Sequence, residues 1–303
     1  MTDWSLPRDG VASAVTIGKF DGVHIGHQRV IAELRSRANG RRVVAVTFDR
    51  HPLALFDPAS APTPLLSVAQ KVEALEEAGA DLVVMLPFTA EFAGQSPEQF
   101  VEDVLVDGLA TELVLVGADF RYGHDGAGTV DSLVLAGESS GFLVETVNDV
   151  CLEGEEKVSS SAIRAALIEG DVARAARLLG RPHRVRGLVV HGHQRGRNLG
   201  YPTVNLEENC EGFIPREGVY SGRLTVSAGE FVAGISVGKN PTFTDVTRDQ
   251  VEAHALDADF DAYGETAEIA FETRIRDILS FGSVDELIVA IDDDIAEIRK
   301  HSS

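Results

Sequence analysis

Two rhythms in one chain predict two fold classes. From Ser13 to about Leu179 short apolar runs alternate with amphipathic stretches, the β-α-β-α order of a parallel sheet covered on both faces. After Pro182 strand-length segments follow one another with Gly, Pro and Asp/Asn turns between them, the pattern of a small antiparallel barrel. The predicted fold is therefore an α/β parallel-sheet domain over residues 1–182, then a small antiparallel β-barrel domain over 183–303 that closes with a C-terminal helix.

In the first half the predicted strands are SAVTIG (13–18), RVVAVTF (42–48), DLVVMLPF (81–88), ELVLVG (112–117) and GFLVETV (141–147). Helical periodicity fills the gaps: HQRVIAELRSRA (27–38), SVAQKVEALEEAG (67–79), SPEQFVEDVLVDGL (96–109) and TVDSLVLAGESS (129–140). The stretch 159–180 reads as one helix, opened by a serine cap and stopped at Gly180 ahead of Pro182. The barrel strands are predicted at 183–192, 201–206, 218–226, 230–238, 251–260 and 266–276, and a terminal helix at 283–302.

Composition narrows the partners. Apolar residues make up 44% and charged residues 25% of 303, ordinary for a globular chain. No apolar run approaches the roughly 20 residues that span a bilayer, and MTDWSLPRDG, with neither a basic n-region nor an apolar h-region, is not expected to direct export. Cys151 and Cys210 form no C-x-x-C pair, so the expectation is reduced thiols in a cytoplasmic protein. A net charge of −21 argues against nucleic acid, whose binding needs an extended basic face. Charge is sorted locally instead. Five arginines and no acid lie between Arg181 and Arg197, whereas nine acids face one base between Asp245 and Glu272. A small phosphorylated ligand suits that pattern.

The segment G-K-F-D-G-V-H-I-G-H (18–27) leaves a strand and enters a helix, at the carboxyl edge where open α/β sheets bind ligands. A helix start offers unpaired N–H groups and a positive dipole end to phosphate. His24 and His27 add donors, and Gly26 lets the backbone approach a polyphosphate. The expected sheet is therefore nucleotidyltransferase-like. Two later segments agree with it. K-V-S-S-S-A-I-R (157–164) sets Ser160 and Ser161 at a helix start and Arg164 one turn in, able to clamp pyrophosphate. G-A-D-F-R-Y-G (117–123) follows another strand end and carries Asp119. A tRNA synthetase reading fails: K-V-S-S-S lacks the second lysine, and the acidic chain shows no anticodon-binding region.

Taken together, G-K-F-D-G-V-H-I-G-H-Q, T-F-D-R-H-P (47–52), G-A-D-F-R-Y-G and S-S-S-A-I-R resemble the FMN adenylyltransferase half of the bacterial bifunctional riboflavin kinase/FAD synthetases. G-R-N-L-G-Y-P-T-V-N (196–205) resembles that family's kinase signature, and G-V-Y (218–220), G-K-N-P-T-F (238–243) and V-E-A-H-A-L-D (251–257) follow in family order. Arg50, Val204, Lys239 and the stretch after His254 depart from the commoner family residues, and none of these removes a catalytic group.

The resemblance implies two reactions. In the kinase half, riboflavin and ATP give FMN and ADP. Thr203 and Asn205 would hold Mg²⁺ and the ATP phosphates, and Gly192, Arg195, Gly196, Arg197 and Gly200 would form the loop over the nucleotide. Glu252 would be the general base, with His254 a packing residue on the same strand face. Residues 239–243 are a flap or a plain turn. In the other half, FMN and a second ATP give FAD and pyrophosphate. His24, His27 and Arg164 are assigned to the triphosphate, with Gly18, Phe20, Asp21, Gly26, Ser160 and Ser161 around the ATP. Asp119 contacts the nucleotide or the metal, and His51 and Pro52 line the flavin channel. The partners are small molecules only. The alternatives are a chain retaining one activity, or a flavin- or nucleotide-binding regulator.

Overall fold

The computed structural model describes residues 6–148, 157–191, 201–240 and 248–301. Contacts group the chain into two units, Met1–Ser159 and Ser160–Ser303.

The first unit runs β1 (Ser13–Ile17), α1 (Ile25–Arg37), β2 (Arg42–Phe48), α2 (Leu53–Phe56), α3 (Val68–Glu77), β3 (Leu82–Leu86), α4 (Ala90–Ala93), α5 (Pro97–Phe100), β4 (Thr111–Gly117), β5 (Arg121–Tyr122), β6 (Gly128–Thr129), α6 (Val130–Ser140) and β7 (Leu143–Val147). Five strands form one parallel sheet in the order β3-β2-β1-β4-β7. Alternation along the strands divides their side chains between two cores. Val15, Ile17, Val44, Val46, Val114 and Val116 meet Phe92, Phe100, Val104 and Leu133 on one face. Ala14, Val43, Ala45, Leu113 and Leu115 meet Ile31 and Leu34 of α1 and Leu75 of α3 on the other. Strand order reverses between β1 and β4, so the crevice at their carboxyl ends is the sheet's switch point.

The second unit comprises α7 (Ser160–Glu169), α8 (Val172–Leu179), β8 (His183–Val190), β9 (Val204–Leu206), β10 (Gly218–Val226), β11 (Gly229–Asn240), β12 (Arg248–Ala255), β13 (Thr266–Arg276) and α9 (Val284–His301). Six strands close an antiparallel barrel in the order β10-β11-β12-β9-β8-β13. Its interior alternates in burial with the pleat: Val185 and Val189, Tyr220 and Leu224, Ile235 and Val237, Ile269 and Phe271 point inward. Gly222 is required where β10 crosses β13, because a Cβ there would stand 1.9 Å from the Ala270 carbonyl oxygen.

Three local predictions are corrected. The single helix expected over 159–180 is two, α7 and α8, because Gly170 turns left-handed at φ +82° and Asp171 starts a new helix by accepting the Arg174 N–H at 2.9 Å. The helix expected over 96–109 is α5 followed by a π-helical turn over Val101–Val106, where the Asp107 N–H reaches the Glu102 carbonyl at 2.9 Å. Charge sorting also has a structural share. Arg184 pairs with Glu268 at 3.0 Å and Arg186 with Glu211 at 2.9 Å, so part of the basic segment answers acids beside it in the barrel.

Candidate active sites

In the first unit the site is built on the turn from β1 to α1. Gly18 donates its N–H to the Val46 carbonyl at 3.0 Å, and the Phe20 ring lies over it, so a Cβ there would crowd the ring at 3.2 Å. Phe20 and Val23 adopt positive φ, +47° and +41°, which turns both side chains inward. Backbone held in that sparsely populated region marks a turn fixed by its surroundings. Asp21 accepts the Leu65 N–H at 2.8 Å.

His24 caps α1. Its Nδ1 accepts the His27 N–H at 3.4 Å, which leaves Nε2 as the protonated nitrogen of the neutral ring. The two imidazoles stack at 3.6 Å, with the Phe20 ring edge-on to His27 at 5.1 Å. Burial, then the neighbouring His24 and the Lys71 ammonium, hold His27 well below the ordinary histidine range. Two imidazolium ions would repel at that spacing, so the pair acts as neutral hydrogen-bonding groups. Among the described residues, His27 Nδ1 is buried without a hydrogen-bond partner.

The structure brings further groups to this edge. Asp119 is exposed just beyond β4, the strand beside β1. His51 and Pro52 follow β2, and His51 Nε2 lies 3.5 Å from Lys19 Nζ. Lys71 of α3, missed in the sequence, is buried and donates to the Phe48 carbonyl at 3.0 Å. Burial lowers its pKa, opposed by the carboxylates of Asp21 and Asp49. Its signal was visible: it shares a helix face with Ala74 and Leu75. Also missed was an aromatic cluster drawn from distant segments. Phe88 meets Phe48 at 5.3 Å, Phe56 at 6.3 Å and Phe92 at 5.7 Å, and Phe56 remains 65% exposed. An exposed aromatic backed by the partly buried Phe88 and Phe48 and the buried Phe92 offers a stacking face.

Ser160, Ser161 and Arg164 lie on the first turns of α7, within the second unit.

In the barrel, β9 lies between β12 and β8, and Asn205 stands directly opposite Glu252. Side chains so paired lie about 5 Å apart at Cβ. Asn205 is buried; its Nδ2 donates to Thr203 Oγ1 at 3.2 Å and its Oδ1 accepts from Gln250 at 3.0 Å. Glu252, Asn205 and Thr203 therefore form one cluster, although 49 positions separate its ends. Their hydroxyl, amide and carboxylate oxygens are hard donors, the type Mg²⁺ takes beside phosphate and water. His254 accepts no such role: its Nδ1 meets the Pro202 carbonyl at 2.8 Å and its ring packs edge-on to Tyr201. Tyr201 in turn donates to Asp292 of α9 at 2.8 Å. The predicted loop residues Gly192, Arg195, Gly196, Arg197 and Gly200 lie outside the described residues, as do Pro241, Thr242 and Phe243.

Comparison with known proteins agrees with both halves. The FAD synthetase family profile matches residues 7–162 and the riboflavin kinase profile residues 179–302. The chain is 37% identical over 286 residues to a bifunctional riboflavin kinase/FMN adenylyltransferase of Pseudomonas fluorescens, covering 94% of this chain and 91% of the relative. It is 35% identical over 285 residues to the protein so described from Haemophilus influenzae, covering 93% and 92%. Among solved structures, one described as a macrolide-efflux protein from Streptococcus pneumoniae superposes with a TM-score of 0.84 at 32% identity, covering 95% of this chain and 94% of that one. Among the described residues, no helix is long and apolar enough to cross a membrane.

Proposed function

The chain belongs to the bifunctional riboflavin kinase/FMN adenylyltransferase family, and from that premise we propose which residues perform each of its two reactions. It converts riboflavin and ATP to FMN and ADP, then FMN and ATP to FAD and pyrophosphate. We assign the kinase to residues 183–303 and the adenylyltransferase to residues 1–182.

In the kinase reaction the riboflavin 5′-hydroxyl attacks the γ-phosphorus of ATP and ADP leaves. A neutral hydroxyl needs a base, and Glu252 is assigned to take its proton. The register pairing of Glu252 with Asn205 is the single observation that carries this assignment. Thr203 and Asn205 orient the ATP phosphates, and both would hold a Mg²⁺ through oxygen. Bound there, the ion would neutralise phosphate charge.

In the second reaction an FMN phosphate oxygen attacks the α-phosphorus of another ATP, and pyrophosphate leaves. The nucleophile is already anionic, so positioning and charge compensation suffice. His24 and His27 serve as neutral donors from the α1 turn, with Gly18, Phe20, Asp21 and Gly26 shaping that turn and Asp119 beside it. Ser160, Ser161 and Arg164 are assigned to the ATP phosphates. The flavin ring is assigned to the aromatic cluster ending at Phe56, with His51 and Pro52 alongside. Neither cysteine is needed as a nucleophile. Burial pushes the Cys210 thiol up to about 11, which makes it a poor nucleophile at neutral pH.

The test is incubation with riboflavin, ATP and Mg²⁺, followed by chromatographic separation of the flavins. FMN appears first and FAD after it. One product alone would restrict the chain to a single activity, and neither would leave a binding regulator.

A further inference from the structure

We propose that Lys71 is the internal counter-charge of the adenylyltransferase site, a positioning residue whose buried ammonium offsets the Asp21 and Asp49 carboxylates so that two anionic substrates can meet there. The role rests on the assignment of that reaction to the first unit. Lys71 is 8% exposed, and its Nζ donates to the Phe48 carbonyl at 3.0 Å. Phe48 ends β2, and its peptide group leads directly into Asp49, so the ammonium stands beside that residue's backbone. Asp21 arrives from the β1–α1 turn and accepts the Leu65 N–H at 2.8 Å, just ahead of the Ser67 cap of α3. Lys71 lies one turn into α3, and helical side chains lean toward the helix N-terminus, here toward Leu65 and Asp21. A reciprocal capping box between Ser67 and Gln70 fixes the start of α3, so the lysine is held at a set depth.

A buried ammonium is costly unless its charge is used. Among the described residues no carboxylate lies within 4.0 Å of Lys71 Nζ, so its charge reaches Asp21 and Asp49 through space instead of collapsing into one ion pair. The same charge is felt by His27 of the nucleotide turn. Asp49 has another cation, Arg50 at 2.7 Å, but that arginine is exposed and water screens it. Lys71 is the compensating charge on the protein side. Without it the site would present carboxylates to FMN and ATP, both anions. Adenylyl transfer moves charge between the substrates without changing their total, so the counter-charge holds ground state and transition state alike. Loss of such uniform binding appears in KM, whereas a misaligned site appears in kcat.

The experiment is steady-state adenylyl transfer by the full chain carrying Lys71→Met, Lys71→Gln, or Lys71→Met with Asp49→Asn. Thermal unfolding and riboflavin phosphorylation by the same preparations monitor folding. Lys71→Met is expected to raise the KM for FMN about tenfold and to leave kcat within about threefold. Gln keeps an N–H for the Phe48 carbonyl but carries no charge, so Lys71→Gln should follow Lys71→Met. Asn at 49 keeps an acceptor for the Phe88 N–H and removes one carboxylate, so the double variant should return to within about threefold of the unaltered chain. An unchanged KM in Lys71→Met, a loss confined to kcat, full activity in Lys71→Gln, or no rescue by Asp49→Asn would each overturn the counter-charge. Should the single variants fail to fold, the double variant decides: folded and active it supports the proposal, and unfolded it overturns it. If the unaltered chain showed no adenylyl transfer, the functional assignment would fall first. Inorganic pyrophosphate binding would then decide: weakened by Lys71→Gln the counter-charge stands, and unweakened it falls.

Discussion

The barrel contains a histidine whose protonation opposes folding, and the cost can be worked out. His183, at the start of β8, is 2% exposed and donates from Nε2 to the Phe213 carbonyl at 2.6 Å. Burial pulls its pKa from the ordinary 6.5 to about 4, the hydrogen bond opposing and Arg181 assisting. Between those values the unfolded chain holds a proton that the native barrel does not, so stability rises with pH there. The contribution is complete above 6.5 and is lost as pH falls toward 4. Integrated from pH 7 to pH 5 this single group costs about 2 kcal/mol, and by pH 4 about 3 kcal/mol. His27 has the same sign in the other unit, so a difference experiment is needed. Urea unfolding of the unaltered chain and of His183→Gln, followed by far-UV circular dichroism and residual riboflavin phosphorylation, isolates it. Gln keeps an N–H for Phe213 and cannot titrate. The stability gap between the two proteins should shift by about 2 kcal/mol from pH 7 to pH 5, in the variant's favour. Parallel pH curves, or an NMR titration placing His183 near 6.5, would refute the reasoning.

Glu252→Gln should cut FMN formation by about 10²- to 10⁴-fold, the range of a lost general base, while FAD formation from supplied FMN persists; flavin chromatography reads both. His27→Ala should do the converse, lowering FAD formation and sparing riboflavin phosphorylation in the same assay. Gly222→Ala should destabilise the barrel by about 3 kcal/mol or more, since its Cβ would meet the Ala270 carbonyl at 1.9 Å, and thermal unfolding measures it. Asp171→Ala should cost about 1 kcal/mol through the lost α8 cap, seen in the same unfolding experiment.

Much of this was legible in the sequence because burial imposes a period. β2 and β13 coincide with their predicted runs: β2 is covered on both faces and reads as a continuous apolar run, whereas β13 alternates in burial and in its letters. The break at Gly170 was legible too, as Gly-Asp between two helical patterns, but helical periodicity on both sides outweighed one residue. What could not be read was juxtaposition. Nothing local places Asn205 opposite Glu252, because that pairing follows from β9 closing the barrel between β12 and β8. The stacking face around Phe88 draws on Phe48, Phe56 and Phe92, which separate elements bring together. Lys71 is a different case: its place on the apolar face of α3 with Ala74 and Leu75 was legible, and its contact with the Phe48 carbonyl was not.

The two sites differ in charge as their nucleophiles differ. A riboflavin hydroxyl is neutral and must lose a proton, so a carboxylate beside it helps, and the barrel presents Glu252 on a strand next to neutral Asn205 and Thr203. The FMN phosphate is already an anion. At about 4 Å and an effective dielectric near 20, one uncompensated carboxylate would oppose it by about 4 kcal/mol. Two carboxylates at this edge of the first unit are compensated, while Asp119 stays exposed beyond β4. Asp21 and Asp49 are turned onto backbone N–H groups of Leu65 and Phe88, and the ammonium groups of Lys71 and Lys19 stand at the same sheet edge. A base placed there would hinder the reaction that the barrel's base promotes. Two nucleophiles of different charge thus require two separate settings, which one strand edge could not supply to both.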